Sequence, residues 1–160
     1  MSSTADLPAA LKRAYFAGSG AALYSGFYGR GPRDASFLSQ LPDPPKGPLS
    51  LMGDDDLALS VASFERTGMV VALNRYRAVA LDPDSSADIV GTPVNQPSCF
   101  IGGASDVVRT MIPGVDSFAD PGAACTDFRR STIIDGAGHW VQQEAPAETN
   151  AALAAFLASL

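Results

Sequence analysis

Apolar positions recur at helical spacing in four places along the 160-residue chain, and they crowd into short runs in two others. Leu7, Leu11 and the pair Ala14/Tyr15 share one face of a helix over Leu7 to Ala17. Asp54, Asp55 and Asp56 open a second helix, where acidic side chains satisfy free amide donors and complement the positive end of the helix dipole. Leu57, Val61 and Phe64 follow at i, i+4, i+7, and Gly68 stops the helix as a glycine after the last turn does. Met69 to Arg77 continues as another helical piece with Leu73 and Tyr76 on one side. Asp82 to Gln96 is a polar connector. Pro97 to Gly103 is a short apolar run bounded by Pro and Gly-Gly, which predicts a buried strand. Ser131 to Asp135 is a second such run, β-branched and stopped by Gly136-Ala137-Gly138. Pro146 begins the last helix, with Glu148 in its first turn and Leu153, Phe156, Leu157 and Leu160 as its buried stripe. The order is helices first, then strand, long loop, strand, tight turn and helix, which is an α/β class with a helical insertion.

Composition narrows the function. Lys plus Arg is 11 and Asp plus Glu is 17, so the net charge is −6. With no basic cluster to offset that charge, a phosphate backbone is repelled and nucleic acid is not expected as a partner. No run approaches the ~20 apolar residues of a membrane span, and Met1 to Leu11 lacks the pattern of a secretory signal. Cys99 and Cys125 form no CxxC and read as reduced thiols of a cytoplasmic protein, with Cys99 an inert core residue. A single histidine among 160 residues excludes multi-histidine metal sites. Neither a metal nor a cofactor is expected. Gly is 15 and Pro is 12, and eleven of these fall between Gly18 and Pro48. That stretch reads as a long irregular excursion.

The single histidine, His139, follows the second strand in Asp135-Gly136-Ala137-Gly138-His139-Trp140. In open α/β sheets the carboxyl ends of strands are where ligands meet catalytic groups. Asp106 lies just past the first strand, in Gly102-Gly103-Ala104-Ser105-Asp106. If the strands are parallel neighbours, both side chains emerge at one sheet edge. A carboxylate accepting the Nδ1–H of a histidine fixes its tautomer, and the acid-then-histidine order is that of the α/β hydrolases. The plainer readings stand beside this one. From spacing alone His139 reads as a loop residue, Asp106 as a turn or cap residue, Tyr76 as half-buried packing and Trp140 as packing beside the histidine. The three aspartates 54–56 need no metal, because a helix start accounts for them.

Three segments carry a family resemblance. Gly136-Ala137-Gly138-His139-Trp140-Val141-Gln142-Gln143-Glu144-Ala145-Pro146, followed by Glu148, Asn150 and Leu153, resembles the histidine motif of the epoxide hydrolases of the α/β-hydrolase superfamily. Phe64-Glu65-Arg66-Thr67-Gly68 with Leu73-Asn74-Arg75-Tyr76-Arg77 resembles that family's cap signature. Ile101-Gly102-Gly103 to Asp106 resembles its acid strand. They occur in family order and span Asp54 to Leu160. The resemblance implies the C-terminal portion of an α/β-hydrolase fold with an incomplete parallel sheet. Residues 1–90 would be a partial helical cap, and 91–160 the C-terminal part of the core. It also implies His139, Asp106 and Tyr76 as catalytic residues: Tyr76 hydrogen-bonds the epoxide oxygen, and His139, held by Asp106, activates water.

The chain departs from the pattern at Arg75, where tryptophan is usual, and at Met69 to Ala72. Val107 replaces a frequent proline, and the loop from Gly114 to Asp127 is long. The family's HG-type loop, aspartate nucleophile and second cap tyrosine have no counterpart here, and no G-x-[SD]-x-G occurs in these 160 residues. The chain alone is therefore expected to be inactive, with an open sheet edge that favours instability or self-association. A separately made N-terminal half as partner, acting together on a small apolar epoxide, and a non-catalytic binding protein derived from a hydrolase are the other expectations.

Overall fold

A computed structural model describes residues 6–22, 37–82 and 86–160. Helix α1 is Leu7–Gly18, with the Asp6 carboxylate accepting from the Ala9 amide at 3.4 Å and a proline in the first turn. Helix α2 is Asp54–Thr67 and α3 is Met69–Arg77. At the α2 start Asp56 turns back to accept the Gly53 amide at 3.2 Å. Gly68 takes φ 73° between α2 and α3, a left-handed conformation that costs glycine nothing. Residues 23–36, inside the stretch expected to be irregular, lie outside the described residues. Its remainder contains 3-10 turns at Gly20–Ala22 and Phe37–Gln40.

Strand β1 is Ser98–Gly103 and β2 is Phe128–Ile134. They pair in parallel, Ile101 opposite Thr132 and Gly103 opposite Ile134, with a register shift between Ser98 and Cys99. β2 begins three residues before the sequence predicts, because Arg129 and Arg130 extend it with side chains in solvent. These two strands are the whole sheet among the described residues, so each keeps one unpaired edge. Cys99 is half-buried rather than deep in a core. A short helix α4, Val141–Glu144, precedes the last helix, α5, Pro146–Leu157.

Helix α5 packs on both strands, but only in part through the expected stripe. Ala152 is its buried residue and Phe156, of the expected stripe, is half-buried, while Leu153 is 44% exposed, Leu157 55% and Leu160 68%. The helix is rich in Ala and Leu on every side, so spacing alone does not choose a face. The inward side is Thr149, Ala152, Ala155 and Phe156, at helical spacing.

The core lies largely in the helical half. Leu49, Leu51 and Met52 are buried against Tyr15, Phe16, Leu57 and Trp140, and Ala17 with Leu41 packs against Ala14 and Leu38. Trp140 thus joins the two halves: it belongs to the histidine loop but sits in the helical core. Val107, Ile134 and Ala137 are buried at the sheet end of the molecule.

Candidate active site

Both strands point their carboxyl ends the same way, so the turns that follow them share one edge. Asp106 leaves the turn after β1 and His139 the turn after β2. Their meeting is the expected one: His139 Nδ1 lies 3.1 and 3.2 Å from the two Asp106 oxygens. Asp106 is also a cap, as the plainer reading held. Its Oδ1 accepts the Val108 amide at 2.8 Å, at the start of the 3-10 turn Val107–Thr110. An ionised carboxylate only accepts, so the shared proton belongs to Nδ1 of the ring. The neutral ring then carries its lone pair at Nε2, and with the side chain 43% exposed it is open to a substrate or water. The imidazole's pKa is held above its ordinary value, first by the Asp106 hydrogen bond. Burial works against this, and the charges of Asp106 and Glu144 work with it.

The loop carrying His139 is fixed by backbone contact with the segment after α1. The His139 amide donates to the Gly18 carbonyl at 2.8 Å. A Cβ on Gly20 would lie 2.2 Å from the Gly136 carbonyl oxygen, and one on Gly138 would lie 2.4 Å from the Gly20 nitrogen. Only glycine permits two chains to touch at that distance. On the other side, a Cβ on Gly103 would meet the Gly138 carbonyl oxygen at 2.2 Å. Trp140 donates from Nε1 to the Tyr15 carbonyl at 2.8 Å, and its ring stands edge-on to the imidazole, 5.0 Å between centroids.

Glu144 completes the arrangement. One carboxylate oxygen accepts the Gly138 amide at 3.0 Å and the Trp140 amide at 3.2 Å, and the other accepts the Gly20 amide at 2.7 Å. Sequence reasoning missed Glu144 and the Gly18-Ser19-Gly20 partner segment. A signal for the first was present: an acid one helical turn after a glycine-rich turn can bond the free amides of a helix start. The second involves residues more than a hundred positions apart and had no local signal.

The loop after Asp106 has its own anchor. Arg109 donates to the Ala104 carbonyl at 3.1 Å and to Asp116 at 3.2 and 2.5 Å. Its guanidinium stands 5.7 Å from the centroid of the Phe118 ring, which meets Phe100 edge-on. A cleft of about 560 Å³ opens here, lined by Ser105, Asp106, Val107, Arg109, Ile112 and Val115 among others, with His139 outside its wall.

Tyr76 is not brought to the pair. It is 77% exposed on α3, more than a half-buried packing residue would be, and no contact joins it to Asp106 or His139 among the described residues. Its neighbour Arg75 pairs with Asp82 at 2.8 Å.

Comparison with known proteins finds relatives of one kind. The chain is 36% identical over 129 residues to epoxide hydrolase A of Mycobacterium tuberculosis, covering 81% of this chain and 38% of that protein. It superposes on an epoxide hydrolase from an endophytic Streptomyces with TM-score 0.81 and 36% identity, over 95% of this chain and 46% of the other. Epoxide hydrolase A from Mycobacterium thermoresistibile gives TM-score 0.75 and 30% identity, over 95% and 46% of the two chains. The chain belongs to the epoxide hydrolase family. It has the α/β-hydrolase fold in part, and it spans less than half the length of these relatives. No family model matches it. No helix among the described residues is long and apolar enough to cross a membrane.

Proposed function

We propose that this chain carries the acid–histidine part of an epoxide hydrolase active site. In the whole enzyme an aspartate opens the epoxide and forms an ester, which water then cleaves to release a diol. His139 takes a proton from that water at Nε2 as its oxygen attacks the ester carbonyl; the acyl C–O bond breaks, the diol leaves as its alkoxide takes up a proton from the imidazolium, and the aspartate carboxylate is regenerated. Asp106 holds the ring and stabilises the imidazolium that forms. Tyr76 is assigned the hydrogen bond to the epoxide oxygen. The observation that carries the reading is the Asp106–His139 pair at 3.1 Å, built at the ends of two adjacent parallel strands.

In this reading 1–90 forms a partial cap and 91–160 the core. The substrate of the complete site is a small apolar epoxide, and the nucleophile comes from a segment outside these 160 residues. That segment is either covalently continuous with the chain or a separate half that docks to it. The free thiols Cys99 and Cys125 support a cytoplasmic setting. The test is an assay of diol formation from a small aryl epoxide, using the 160-residue chain alone and joined to the N-terminal half of the Streptomyces relative. The expected result is no turnover alone and turnover on joining, abolished by His139→Ala.

A second reading is a non-catalytic binding protein. It is favoured by Leu59, Val70, Val71 and Tyr76, which stand exposed on α2 and α3 as an apolar surface. A joined protein that folds but turns over no epoxide would support it.

A further inference from the structure

The Glu144 carboxylate reaches three amides from two parts of the chain. Two of them, Gly138 and Trp140, flank His139, and the third, Gly20, belongs to the segment after α1. A half-buried carboxylate that accepts several backbone N–H bonds is strongly held and fixes the backbone that donates them. The amides before and after a residue set the plane from which its side chain leaves. We propose that Glu144 is a positioning residue: by clamping the amides on both sides of His139 to the Gly20 segment, it sets the imidazole against Asp106. The proposal rests on the reading of His139 as the water-activating base. It adds that the geometry of this base depends on the contact between the histidine loop and the helical half.

Three further observations support the clamp. The backbone of Gly138 touches that of Gly20 and Gly18 so closely that a methyl group fits nowhere between them. The His139 amide itself donates to the Gly18 carbonyl at 2.8 Å. Trp140, the next residue, bonds the Tyr15 carbonyl within α1. The loop is thus held to α1 at three successive residues, and the Glu144 carboxylate bonds both sides of the joint.

The charged groups acting on the imidazole among the described residues are Asp106, from the turn after β1, and Glu144, from α4. A test must therefore separate placement from charge. Glu144→Asp keeps the charge but is one methylene shorter, and cannot reach both sets of amides. Glu144→Gln keeps the length but presents an NH2 group to one set. The measurement is the NMR titration of His139 in the 160-residue chain, with and without Asp106→Asn. The downward shift caused by Asp106→Asn measures how closely the two residues are coupled. The expected result is that Glu144→Asp reduces this shift about twofold or more, with helical circular dichroism unchanged, and that Glu144→Gln does the same. An undiminished shift in a folded Glu144→Asp chain overturns the proposal. So does failure of both variants to fold, because Glu144 would then hold the fold rather than the histidine. In the unaltered chain the amides of Gly20, Gly138 and Trp140 should exchange slowly with solvent, and rapid exchange of all three also overturns it. None of these readouts needs turnover, so they stand or fall separately from the assay of the joined enzyme.

Discussion

Asp106 and His139 share a hydrogen bond between a carboxylate only 9% exposed and an imidazole 43% exposed. The acid is anchored by the Val108 amide, and the base is left facing solvent. An acid fixed by its own backbone holds a mobile ring more firmly than two free side chains hold each other.

One consequence is a pH dependence. The pKa of His139 is raised, chiefly by the bond to Asp106, so its NMR titration midpoint should lie above the ordinary 6.5 or so. The same pair stabilises the fold fully below the unfolded value, and this contribution fades as pH rises through the folded value. Solvent screening at a side chain 43% exposed keeps it below about 1 kcal/mol. Asp106→Asn should move the midpoint down. Because His139 is the only histidine, its ring signals need no assignment by mutation.

The glycine contacts between the α1 segment and the histidine loop make a second prediction. Gly20→Ala and Gly138→Ala each place a methyl carbon within 2.4 Å of backbone atoms. Backbone cannot swing aside as a flexible side chain does, so each should cost about 1–3 kcal/mol. Urea unfolding followed by circular dichroism measures it, and an unchanged midpoint would show that the two segments do not touch.

Trp140 provides a third. Trp140→Phe keeps an aromatic ring beside Tyr15 but removes the Nε1–H donor to the Tyr15 carbonyl. The loss should be about 0.5–1.5 kcal/mol in chemical denaturation, with part of the ring packing retained. Since Trp140 is the only tryptophan, its fluorescence in the unaltered chain should report α1 leaving the loop.

The sheet makes a fourth. Among the described residues each strand has an unpaired edge, and Ile133, Leu153 and Leu157 are exposed. Open edges beside apolar side chains pair with other chains. The 160-residue chain should sediment with a concentration-dependent average mass. A single monomeric boundary at all concentrations would count against an adhesive edge.

Much of this molecule was legible before any coordinates. The ends of α2 follow from three aspartates and from Gly68, since capping and left-handed backbone are decided within a few residues. β1, β2 and the turns that launch Asp106 and His139 follow from short apolar runs stopped by glycine. Their parallel pairing, which brings the acid and the base together, was a condition that the sequence could state but not meet. The buried side of α5 was read only at Phe156, because Ala and Leu follow one another around its C-terminal turns and the neighbouring sheet decides which of them face inward. Neither could the position of Tyr76: periodicity places it on a helix face, and only packing decides whether that face is covered.

By itself the sequence determined the elements, the candidate acid and base, and the family they resemble, since these rest on local propensity and on motifs of adjacent residues. Only the tertiary structure decided that Gly18-Ser19-Gly20 lies against Gly136-Ala137-Gly138, and that Glu144 bonds both. Those contacts join residues more than a hundred positions apart, and no local energy term records them until the chain has folded.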